Sequence, residues 1–257
     1  MCAVFGYLAS PSRDDWQLAH YLLIELAIAS ERRGTDASGY AALTSRGKLL
    51  WDRQPGPARD LFEGKRFGDL RRRKIQMVIG HTRLATHGSP AVNGNNHPHL
   101  AGGDLGANTP AQWALVTNGF IPAHAEKAVA LRLPLHSQCD SELLVQALHR
   151  YGERVGPDVC FSFGGKQSVL AINVRTRRML AWTNGEMPLA AFRVDGLLGL
   201  WWASTQEIAQ QALSVVGLQA RFAAARPDTI YWMEVANGQV VMQTQQAKAT
   251  TAWRKAG

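Results

Sequence analysis

Five short apolar runs constrain the fold more than any other feature of this chain: AVFGYLA at 3–9, QMVIG at 76–80, WALVT at 113–117, SVLAINV at 168–174 and LLGLWWA at 197–203. Each is too short for a buried helix, rich in aromatic or branched side chains, and flanked by turn-forming residues, so each reads as a buried strand. Between them, helical periodicity predicts amphipathic helices near 15–30, 140–151 and 205–216. In the first, Trp16, Leu23 and Leu26 share a face with Ala19 and Ala27, and the helix ends before Gly34. A length of 257 residues with 46% hydrophobic content supplies a sizeable core, and one large domain over 1–257 is the simplest organisation. The segments 52–74 and 99–112, dense in Gly and Pro, read as loops.

The formal charge of +8 is compatible with an acidic partner or with nucleic acid. Its densest run, RRRK at 71–74, has no interleaved aromatics and belongs to no nucleic-acid motif, so a solvated loop is favoured, partner docking comes second and nucleic acid last. No secretory signal, transit peptide or membrane span is read; LAHYLLIELAIA at 18–29 is short and interrupted by His20 and Glu25. Three cysteines give no disulfide framework, which suits a reducing cytoplasm. His81, His97 and His99 lack an accompanying cysteine or carboxylate ligand pattern, so neither a metal nor another cofactor is expected, and Cys139 and Cys160 read as packing residues.

Cys2 carries the chemistry. Removal of Met1 would leave a thiol and a free α-amine on one residue, and an amine with a reference pKa of about 7.7–8.0 can accept the thiol proton near neutrality. Downstream lie RRGTDASG at 32–39, GHTRLATHGSP at 80–90, NNHPH at 95–99, VTNGFI at 116–121 and CDSELL at 139–144. With MCAVFGY at the start, these motifs, in this order, resemble the class II, N-terminal-nucleophile glutamine amidotransferases. The form found in glucosamine-6-phosphate synthase is nearest in motif. The resemblance covers about 2–240, leaves a short polar tail, and implies an α+β fold: a four-layer α/β/β/α sandwich of two antiparallel sheets.

The same resemblance implies the site. Cys2 is the nucleophile; Asn118 and Gly119 supply an oxyanion hole through a side-chain amide and a backbone N–H. Arg83 would grip the glutamine α-carboxylate and Asp140 its ammonium, with Thr86 and His87 lining the pocket. Asp140, beside Ser141 and Glu142, also suits a helix N-cap. The segment 52–74 would sit near the pocket and close over it. Thr117, Leu84 and Ala3 depart from the usual residues without removing a group assigned to the chemistry, whereas TNGEMPLAAF at 183–192 departs from an arginine-containing stretch before Pro-Leu and loosens the resemblance in the second half of the chain.

The expected function is that of a stand-alone glutaminase subunit that hydrolyses L-glutamine through a γ-glutamyl thioester and passes ammonia to a separate synthase, since the chain has neither a P-loop nor room for a second catalytic domain. One rival is hydrolysis of a γ-glutamyl amide of a larger molecule. Another is a catalytically quiet glutamine-sensing or partner-binding module, favoured if Met1 is retained.

Overall fold

The computed structural model describes residues 1–103 and 110–248. Residues 104–109 of the segment 99–112 lie outside that range, as does the end of the tail, and the start of that segment is a strand, not a loop. In chain order the elements are β1 (Ala3–Leu8), α1 (Arg13–Ser30), β2 (Ala37–Thr44), β3 (Leu49–Pro55), α2 (Ala58–Phe62), α3 (Lys65–Gly68), β4 (Ile75–Arg83), β5 (His99–Ala101), β6 (Trp113–Phe120) and α4 (His124–Ala130). They continue with α5 (Ser141–Ser162), β7 (Lys166–Asn173), β8 (Arg178–Thr183), β9 (Ala190–Val194), β10 (Leu200–Ala203), α6 (Gln206–Val216), β11 (Ala220–Ala224), β12 (Thr229–Ala236) and β13 (Gln239–Gln246).

The strands form two antiparallel sheets, ordered β11-β9-β10-β1-β4-β2-β3 and β13-β12-β8-β7-β6-β5. The apolar runs are continuous because both faces of the central strands are covered, so successive residues face different cores. In β1, Phe5 and Tyr7 pack toward α1 and α6 while Val4 and Leu8 face the second sheet. In β7, Val169 and Ala171 pack toward α5 while Leu170 and Ile172 meet the first sheet. The result is the expected α/β/β/α order.

Helix α1 begins earlier than its apolar pattern, because Ser12 and Asp15 form a reciprocal capping box. Helix α5 runs past the predicted end at 151: Gly152, at φ 73°, kinks the chain into a second helical segment up to Ser162. The segment 52–74 is not an open loop. It completes β3 and folds into two short helices that bury Ala58, Leu61, Phe62, Phe67 and Leu70 against α1. Trp16 Nε1 donates to the Leu70 carbonyl at 3.0 Å, and a His20 ring nitrogen meets the Phe67 carbonyl at 2.9 Å. This packing anchors the apolar side of the segment to α1. Only its start stays by the predicted pocket, where Gly56 N–H donates to the Asp36 carbonyl.

Candidate active site

The site gathers where the first sheet's β1 begins and β4 ends, beside β6 of the second sheet. Pairing of Ala3 with Thr82 and of Ala37 with Arg83 brings the ends of β1, β4 and β2 to one edge. A bond between a His81 ring nitrogen and the Thr117 carbonyl, 3.0 Å, ties β4 to β6 just before Asn118.

Cys2 stands at this edge, half-buried, with Met1 largely exposed beyond it. Its thiol donates to the Leu84 carbonyl at 3.4 Å and its own carbonyl accepts from Arg33 Nε at 2.8 Å. With the Asn118 amide oriented to satisfy its neighbours, Nδ2 donates to the Cys2 carbonyl at 3.0 Å and Oδ1 accepts from Arg33 Nη2 at 3.3 Å. Burial pushes the Cys2 thiol above its ordinary value; the Leu84 bond, the terminal ammonium and Arg83 oppose that rise, and Asp140 adds to it. The thiol therefore needs a base, and the amine that Met1 removal would free is directly attached to the same residue.

Gly119 is required by space. A Cβ there would strike the Lys166 carbonyl on β7. Asp140 is buried and its Oδ2 accepts from the Ile121 N–H at 2.6 Å, so it holds the chain just beyond Asn118 and Gly119. It makes no cap bond to α5. Glu142 serves the segment ahead of the helix instead, accepting from the His136 and Ser137 N–H groups.

Arg83 is buried, and its guanidinium is already engaged. Nη1 donates to Asn96 Oδ1 at 2.9 Å, and Nη2 donates to the carbonyls of His87 and, at 3.0 Å, Gly88. The ATHG turn thus occupies part of the fork assigned to a substrate carboxylate. Thr86 and His87 are exposed on that turn, and the His87 ring stacks on Phe120 with centroids 5.3 Å apart.

Two residues without individual assignments in the sequence reading complete the edge, both from RRGTDASG. Arg33 bonds both Cys2 and Asn118, as described. Asp36 Oδ2 accepts from the Ala85 N–H at 2.7 Å, and its own N–H donates to the Arg83 carbonyl at 2.9 Å, so it fixes the start of the ATHG turn. Gly34 between them has no room for a Cβ, which would meet the Arg83 and Leu84 backbone. Their signal was the motif itself; what each side chain holds becomes visible only when the strands pair.

A groove of about 780 Å³ lies at the opposite end of β1 and β4, lined in part by Ser12, Arg13, Trp16 and the basic run Arg71–Lys74, and it shares no residue with this site.

Over 152 residues, 58% of its length, the chain is 34% identical to glutamine–fructose-6-phosphate aminotransferase (isomerizing) of Pseudomonas putida. It is also 34% identical over 171 residues to the same-named protein of Chlamydia muridarum. In structure it matches the glutamine phosphoribosylpyrophosphate amidotransferase of B. subtilis with a TM-score of 0.70 across 97% of this chain and 50% of that one, at 21% identity. The chain is similar in sequence to part of a glutamine-dependent aminotransferase and in fold to a glutamine amidotransferase. Another match is a glutamine aminotransferase class-II domain protein of Silicibacter pomeroyi, with a TM-score of 0.56 at 13% identity, covering 96% of this chain and 100% of that one. The matched stretch spans 22% of the Pseudomonas relative and 25% of the Chlamydia one. No family model matches the chain. Among the described residues, no helix is long and apolar enough to cross a membrane.

Proposed function

We propose that the domain hydrolyses the side-chain amide of glutamine and delivers the ammonia to a separate acceptor enzyme inside the cell. The observation that carries this reading is the placement of Cys2 at the end of β1 with the Asn118 amide and the Arg33 guanidinium gathered at its main chain. After removal of Met1, the α-amine takes the thiol proton and Cys2 Sγ adds to the amide carbon. Asn118 Nδ2 and the Gly119 N–H hold the oxyanion, and ammonia leaves with the proton returned by the amine. Water then adds to the γ-glutamyl thioester and glutamate is released, so that glutamine and water become glutamate and ammonia. Asp140 receives the substrate ammonium. Arg83 takes the α-carboxylate once the ATHG turn yields its carbonyls, which makes that turn, with Thr86 and His87, the part of the pocket that adjusts to substrate.

The test is intact mass together with glutamate release from glutamine, run beside Cys2→Ala. The reading expects loss of Met1, release by the wild type, and a fall of at least about 10³-fold in the variant. Loss of Met1 with no turnover of glutamine but turnover of a γ-glutamyl amide would hand the function to the larger-substrate hydrolase. Retention of Met1 without turnover of either would leave a binding module.

A further inference from the structure

A buried cluster beside the site is used by none of this chemistry. His81, His97 and His99 are all buried, with the His81 and His97 rings stacked at 3.9 Å between centroids and His97 edge-on to His99 at 4.6 Å. Cys139, from the turn preceding α5, completes the group: one donor atom each from His97, His99 and Cys139 lie within 4.8 Å of one another. Both ring nitrogens of His97, and Nε2 of His99, are buried without a hydrogen-bond partner. Leaving buried imidazole nitrogens unpaired costs about 1–3 kcal/mol for each group, so these nitrogens call for a partner.

We propose that His97, His99 and Cys139 form a binding site for one Zn(II) ion. Imidazole nitrogen and thiolate sulfur are both zinc donors, and a site with three protein ligands keeps a fourth position for water. At zinc bond lengths, adjacent donors in a tetrahedron sit about 3.3–3.8 Å apart, so a contraction of about 1 Å would close the site. Burial holds both histidines well below their ordinary value, which keeps them in the neutral form that coordinates. The same burial, reinforced by Asp140, pushes the Cys139 thiol up to about 12; zinc would displace that proton, forming the S–Zn bond as the proton passes to solvent. Charge is balanced locally. The thiolate and the Asp140 carboxylate, 3.8 Å from Cys139 Sγ, face the dication, while the nearby Arg53 and Arg83 already donate to the Asn96 and Pro98 carbonyls and to Asn96 Oδ1. The ion would fix Cys139, and with it the adjacent Asp140, independently of whether glutamine is the substrate. The sequence reading placed no metal here because Cys139 is remote from the His-Pro-His run along the chain; the antiparallel pairing of β5 with β6, and α5 packed on both, bring them together.

The experiment titrates the chelator-treated full chain with Co(II) and then Zn(II). One Co(II) per chain, a thiolate-to-cobalt charge-transfer band, the strong visible bands of four-coordinate cobalt, and their loss on adding Zn(II) are expected. Cys139→Ser should abolish the charge-transfer band and weaken binding by more than about 100-fold. Should that variant not fold, the double substitution Cys2→Ser/Cys160→Ser leaves Cys139 as the last of the chain's three thiols, and it must retain the band. Absence of a thiolate band in the double variant, or failure of the wild type to bind one equivalent, would overturn the site and leave ordered water as the partner of these nitrogens.

Discussion

Asn118 shows what a single residue contributes here. Its amide reaches both Cys2 and Arg33, so Asn118→Ala removes that anchor together with the proposed oxyanion donor. The expected result is a fall of about 10²–10³-fold in kcat for glutamine hydrolysis with a smaller change in KM, read by steady-state glutamate release. At this scale the sequence was most readable where a motif names its own chemistry, as at Cys2 and in the Asn-Gly pair. It was least readable where a side chain has two uses. Asp140 fits a helix cap as well as a substrate contact; it makes no cap bond, its Oδ2 accepts from the Ile121 N–H, and Arg83 is held by the turn that follows it. The Ile121 contact of Asp140 is distant along the chain, whereas Arg83 is held locally by His87 and Gly88 and at longer range by Asn96.

Among the elements, the ATHG turn after β4 depends on Asp36, which arrives from the loop before β2. Asp36→Ala leaves the Ala85 N–H without its acceptor, and the expected outcome is a several-fold rise in KM for glutamine with faster amide exchange over 84–88 measured by hydrogen–deuterium exchange. Helix α1 carries a second consequence. Burial lowers the His20 pKa from 6.5, with the Phe67 carbonyl opposing and Arg71 assisting. A histidine whose folded pKa is depressed adds stability that is present above its unfolded pKa and is lost as pH falls through about 6.5, because the unfolded chain binds the proton more readily. Thermal midpoints of the wild type should therefore drop between pH 7 and pH 5, and His20→Gln should reduce that drop. Helical periodicity located α1, the first part of α5 and α6, since one face of each meets a sheet. It missed α2 and α3, whose few turns carry too little pattern and are held by Phe62, Phe67 and Leu70 in the core.

Across the whole molecule, the layer between the sheets connects β1, which follows Cys2, to β6, which carries Asn118. Leu170 lies fully buried in that layer, close enough that a Cβ on Gly6 of β1 would come within 2.9 Å of its Cδ1. Leu170→Ala should cost about 2–5 kcal/mol of stability, seen as a lower denaturant midpoint at unchanged m-value. By itself the sequence determined the buried strands, the principal helices, the sandwich implied by its motifs, and the identity of Cys2, Asn118, Gly119, Arg83 and Asp140 as the residues to examine. These follow from neighbours along the chain, where side-chain periodicity and short motifs act. Tertiary structure decided that Arg33 reaches Cys2 and Asn118, that Arg83 reaches Asn96, that Leu61, Phe62, Phe67 and Leu70 of the segment 52–74 enter the core, and that Cys139 meets two buried histidines. Such contacts arise only when strand pairing and burial bring distant segments to one edge, and no local pattern encodes which donor will then face which acceptor.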